Sequence, residues 1–102
     1  MERKIQTSNL PDVDEIDRAK IDSTLETTYD KIAKIVGNNF ILKANFKDIE
    51  KGGARKQHEV HLHISGPGFE VMAKETEWNL ITALQKATSV LERETIKKVK
   101  QP

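Results

Sequence analysis

The feature that most constrains this chain is a change in the period of its apolar residues, from about 3.6 to 2 and back again. Ile21, Leu25, Thr28 or Tyr29, Ile32, and Ile35 or Val36 recur at helical spacing, the mark of a helix that buries one face. Gly37-Asn38-Asn39 follows, and these are residue types that end helices in the left-handed conformation. The spacing predicts a helix over about Asp22–Val36. From Phe40 the period is two: Phe40, Leu42, Ala44 and Phe46 point one way, and Ile41, Lys43, Asn45 and Lys47 the other. That is a half-buried strand.

A second strand places Val60, Leu62 and Ile64 opposite Glu59, His61 and His63, and a third places Phe69, Val71 and Ala73 opposite Glu70, Met72 and Lys74. Ser65-Gly66-Pro67-Gly68 between them has the composition of a tight turn. The helical period then returns in Leu80, Leu84, Ala87 and Leu91, flanked by Ala83 and Val90. This predicts a helix over about Thr76–Lys98, with Thr76 as its cap and Glu77 in its first turn. Upstream, Lys4-Ile5-Gln6-Thr7-Ser8 has the makings of a short edge strand, and Pro11 with its following carboxylates those of an early helical turn reaching Lys20.

The predicted class is α+β: an antiparallel sheet of three to four strands with two helices packed on one face, in the order (β)αβββα. The 102 residues suffice for one core. Residues 1–20 read as an acidic amino-terminal segment, a possible edge strand or short helix, and residues 21–102 as a single domain.

No residue is a cysteine, which removes disulfides, thiolate metal sites and cysteine nucleophiles and fits a reducing compartment. No apolar run approaches the roughly 20 residues that cross a bilayer, and the polar amino terminus is unlike a secretory signal. A cytoplasmic protein is expected. Net charge is only +1, so any pull on nucleic acid must come from how charge is distributed. Residues 12–30 carry seven carboxylates, Asp12, Asp14, Glu15, Asp17, Asp22, Glu26 and Asp30, whereas Arg93, Lys97, Lys98 and Lys100 crowd the other end.

The candidate sites differ in weight. His61 and His63 lie on one side of a strand near Glu59, but two exposed imidazoles ordinarily belong to a solvated face, and no metal or other cofactor is expected. No G-x-S-x-G elbow is present, and the paired carboxylates of the first helix fall on a solvated flank, whereas acid–base work needs burial to shift a pKa. An enzyme is not indicated. Gly52-Gly53 lacks the pattern of a phosphate-binding loop, yet Arg55 and Lys56 put two cations on that hairpin. On the last helix Lys86, Arg93, Lys97 and Lys100 share one flank at spacings of seven, four and three, a stripe able to track phosphates. A helix end also favours cations for its own dipole. Trp78 reads as a lid on the end of the core rather than a base-stacking platform.

The run Glu77-Trp-Asn-Leu-Ile-Thr-Ala-Leu-Gln-Lys-Ala-Thr-Ser-Val-Leu-Glu-Arg-Glu-Thr-Ile-Lys-Lys98 resembles the final helix of the ribosome hibernation-promoting factor and ribosome-associated inhibitor family. Asp30-Lys-Ile-Ala-Lys-Ile-Val36 is similar to the end of that family's first helix, and the resemblance covers about residues 21–100. It implies a fold of strand, helix, three strands and helix, and a protein that silences idle ribosomes from the decoding region of the small ribosomal subunit. Carried over by position, it implies RNA contacts from Lys31, Lys34, Lys86, Arg93, Lys97 and Lys98. The family's first strand stands close before the helix, so Ile5 fits it only with an insertion of several residues.

Two rivals share the predicted topology. A double-stranded RNA-binding domain needs lysines at the start of its last helix, where this chain has Glu75-Thr76-Glu77. A protein interaction module of that fold, without RNA binding, would use the acidic segment to dock on a basic partner.

Overall fold

The computed structural model describes residues 3–50, 52–53 and 55–100, without the side chain of Lys100. Its elements are β1 (Ile5–Ser8), α1 (Glu15–Val36), β2 (Ile41–Glu50), β3 (Lys56–Gly66), β4 (Phe69–Glu77) and α2 (Leu80–Lys100). The strands form one sheet in the order β1-β2-β3-β4. β2, β3 and β4 are an antiparallel meander, and β1 joins the edge of β2 in parallel. The α+β order is therefore βαβββα, with one parallel pair in an otherwise antiparallel sheet.

β1 exists despite its single apolar residue. Ile5 stands opposite Leu42, and the Leu42 N–H donates to the Lys4 carbonyl at 2.9 Å. The Ser8 hydroxyl and the Asn9 amide both donate to Asn45 Oδ1, at 3.1 and 2.9 Å. Asn9 ends the strand in the left-handed region at φ 57. Residues 9–14 link β1 to α1.

α1 starts at Glu15, seven residues before the Asp22 predicted from the apolar stripe. Asp14 caps it by accepting the Asp17 N–H at 2.8 Å, and Glu15 and Asp17 face the positive end of its dipole. The first turns are mostly exposed, Ile16 to 68%, so hydrophobic spacing marks only the part of the helix that is buried. The early turn expected near Pro11–Lys20 and the helix after it are one element. At the other end Gly37 takes φ 86, closed to most side chains, and its N–H donates to Ala33 O at 2.8 Å.

α2 also differs at its start. Thr76, the expected cap, is still in β4 and pairs with Glu59. Asn79 caps instead, accepting the Thr82 N–H at 3.0 Å and its hydroxyl at 3.3 Å. Asn79→Ala is expected to cost about 1 kcal/mol in chemical unfolding, and Thr76→Ala clearly less; equal losses would contradict this assignment.

Both helices cover one face of the sheet. Leu42, Ala44, Phe46, Val60, Leu62, Ile64, Val71 and Ala73 are buried beneath Ile21, Leu25, Tyr29 and Ile32 of α1 and Ala83, Leu84, Ala87 and Leu91 of α2. Tyr29 stacks on Phe40 with centroids 4.3 Å apart. The buried Thr95 hydroxyl donates to Leu91 O at 2.7 Å. Among the described residues no buried side-chain polar atom lacks a partner. The other face of the sheet, with Lys43, Lys47, His61, Met72 and Lys74, is open to solvent.

Candidate nucleic-acid interface

α1 and α2 lie side by side and run the same way. Thr24, Thr28 and Lys31 face Gln85, Thr88 and Glu92 across a polar groove of about 300 Å³. Gln85 and Ser89 also border a second groove, of about 440 Å³, formed with Lys86, Val90, Arg93 and Glu75 on the β4 side of α2. The exposed back of α2 thus separates Lys31 on one side from Lys86 and Arg93 on the other. Phosphates crossing this helical layer would meet cations on both sides of a hydroxyl-rich strip.

The cations are not equally available. Arg93 is exposed and has no ion pair among the described residues. Lys86 donates to Glu77 Oε2 at 2.8 Å, and that hydrogen bond, reinforced by the charge of Glu77, raises the lysine pKa. Lys97 lies 3.6 Å from Glu94, and Lys31 lies 3.8 Å from Glu92. Pairs this exposed are screened and exchange readily for another anion. Lys34 is exposed one turn beyond Asp30. The helical spacing reveals the flank, and Glu94 at i−3 from Lys97 is legible there too. The Glu77–Lys86 pair is not, because it joins the end of β4 to the second turn of α2.

Three expected contributors lie elsewhere. Lys98 turns toward the far end of the molecule, in a cleft with Ile35, Val36 and Phe69. Arg55 and Lys56 sit at the opposite end, beside the start of α2. Lys97 is seventeen residues along α2 from Leu80, about 26 Å at 1.5 Å per residue. Lys100 closes α2, but its side chain is outside the described residues. Trp78 is not a lid: it is 47% exposed on the link between β4 and α2, and Leu80 fills the core position instead. The Arg55 guanidinium lies 4.4 Å from the Trp78 ring centre.

Asp22, Glu26 and Asp30 of α1 keep to the other flank, whereas Asp17 borders the cleft at the start of α2. Asp22 and Glu26 line a recess with Ile5 and Thr7 of β1. Arg3 holds Asp30 through two hydrogen bonds of 2.9 Å, which chiefly keep its carboxyl below the usual range. Asp22, Glu26 and Asp30 thus lie on the β1 side, and the cations of α2 on the β4 side are interleaved with Glu75, Glu77 and Glu94. Among the described residues no three His, Asp or Glu side chains are grouped to hold a metal ion, and no helix is long and apolar enough to cross a membrane. His63 contacts Glu70 and His58 contacts Asp48, each at 2.8 Å.

No family model matches the sequence, and no curated protein does. Solved structures match the fold. The N-terminal domain of Protein Y from Thermus thermophilus superposes with a TM-score of 0.67 at 17% identity, covering 96% of this chain and 99% of that one. A ribosomal subunit interface protein from Coxiella burnetii gives 0.65 at 14% identity, covering 99% of this chain and all of that one. Both are hibernation-promoting factor family members. The chain shares the fold of both. At these identities the likeness is one of backbone. β1 lies within the part of the chain that both superpositions cover, and residues 9–14 separate it from α1.

Proposed function

We propose that this chain is a ribosome-associated translation silencer. It binds the small ribosomal subunit with the helical layer turned toward ribosomal RNA, and stands where messenger and transfer RNA would pass. The observation that carries this reading is the match of fold, over nearly the whole chain, to a protein named for the ribosomal subunit interface. Arg93, Lys86, Lys97, Lys31 and Lys34 supply cations to phosphates, and the shape of the layer supplies the fit. The acidic flank of α1 faces the β1 side, away from the α2 flank, so it does not oppose RNA held there. The role needs no cofactor and no catalysis, and its setting is the cytoplasm.

The carboxylates beside Lys31, Lys86 and Lys97 favour one alternative, a protein interaction module without RNA binding. Co-sedimentation of the purified protein with separated small and large subunits, across a salt series, separates the two. Retention is expected on the small subunit alone. With about five phosphate contacts, affinity falls roughly 100-fold between 50 and 200 mM salt. Failure to bind either subunit at the lowest salt would leave the interaction module.

A further inference from the structure

The end of the molecule where α2 begins holds a second arrangement that the basic flank does not use. Trp78 is the sole tryptophan of the sequence, and nearly half its surface is in solvent. Burial of an aromatic this large is ordinarily favourable, and here the neighbouring Leu80 is buried in its stead. What covers the ring is a cation. Gly52 and Gly53 turn the β2–β3 hairpin with φ of 88 and 56, and the Arg55 N–H donates to Gly52 O at 3.3 Å. The guanidinium is thereby carried to 4.4 Å from the ring centre. Beside the ring opens a cleft of about 450 Å³, bordered by Lys56, His58 and three carboxylates, Asp12, Asp17 and Asp48, a size suited to a small flat ligand.

These groups are matched to the parts of a nucleotide. The guanidinium fills the ring face at 4.4 Å, so a base enters as Arg55 swings outward on its flexible side chain, and Arg and Trp can then stack on the two π faces of that base. Lys56, the first residue of β3, adds a charge for a phosphate. The carboxylates of Asp12, Asp17 and Asp48 accept hydrogen bonds only, so they favour a base that presents an exocyclic amino group, and Lys56 is the side that takes a phosphate. Asp48 is held in place by His58 Nδ1 at 2.8 Å.

We infer that Trp78 is a stacking platform for one unpaired, amino-bearing base of RNA, with Arg55 closing over the base and Lys56 taking its phosphate. This rests on the RNA-binding reading above and adds to it a contact about 26 Å from Lys97 by the helical rise. A stacked base gives a polar, salt-sensitive surface a contact that salt does not weaken.

Two measurements test it. Because Trp78 is the sole tryptophan, its fluorescence reports this site alone in a titration with short single-stranded oligonucleotides. Oligoadenylate is expected to quench it at lower concentration than oligouridylate, since uracil has no amino group. In co-sedimentation with small subunits, Trp78→Ala is expected to bind about tenfold more weakly than the parent, and Trp78→Phe to recover most of the loss. Circular dichroism checks that both variants fold. If Trp78→Ala binds subunits as tightly as the parent, the stacking site is overturned while the ribosomal reading stands. If the parent binds no subunit, the ribosomal reading falls, and the oligonucleotide titration alone decides the site: unchanged fluorescence would overturn it.

Discussion

Replacing both Arg93 and Lys97 with glutamate is expected to weaken binding to the small ribosomal subunit about 100-fold or more, with the thermal unfolding midpoint within a few degrees of the parent. Each charge-assisted hydrogen bond to a phosphate is worth about 1.5–3 kcal/mol, so losing two reaches 100-fold even at the lower value. The fold tolerates the change because both side chains are exposed on the β4 flank of α2. Arg93 gives up no ion pair among the described residues, and Lys97 gives up a 3.6 Å contact with Glu94 that contributes little at this exposure. The informative control is Lys43→Glu with Lys47→Glu, the same change of net charge on the open face of the sheet. If it weakens binding as much as the α2 pair does, overall charge governs association and the α2 flank is not the contact surface.

The largest expected effect on stability is at Leu62. It is fully buried on β3, a central strand. Its cross-strand neighbours are Ala44 on β2 and Ala73 on β4. In that row across the meander one long side chain stands between two methyl groups, so it alone fills the space toward the helices. Leu62→Ala is expected to cost about 4 kcal/mol, toward the upper end for a leucine truncation, because the alanines on either side cannot move in to close the cavity. The melting temperature should fall by roughly 20 °C. A loss below about 1 kcal/mol in denaturant unfolding would show that the helical layer collapses onto the sheet and refills the gap.

The meander and the core halves of both helices are legible in the sequence because they bury alternate or every third to fourth residue. Phe40 to Phe46 and Val60 to Ile64 announce their faces without help. β1 and the amino-terminal turns of α1 are not announced that way. Ile5 is one apolar residue in a four-residue strand whose pairing is set by backbone bonds to β2, and Ile16 is exposed, so neither leaves a periodic trace. What sets the start of α1 is a hydrogen bond from the Asp17 amide to a single carboxylate, Asp14.

The cations of the candidate interface were legible as a register on α2, but their neutralising partners were less so. Glu77 reaches Lys86 only because β4 runs three residues further than the alternation from Phe69 to Lys74 suggests. The same extension carries Trp78 out of the core and under Arg55, a meeting of residues 23 positions apart that no local spacing encodes.

The parallel edge strand has a consequence for how the chain comes into being. β3 and β4 each follow their sheet neighbour through a short link, so both hairpins can close as soon as they have been made. β1 is different: Ser8 pairs with Asn45, 37 residues later, with the whole of α1 in between. On a translating ribosome the first strand to emerge has no partner until α1 and the first half of β2 have been synthesised. A molecule proposed to act on ribosomes thus spends its own birth with its leading strand unpaired.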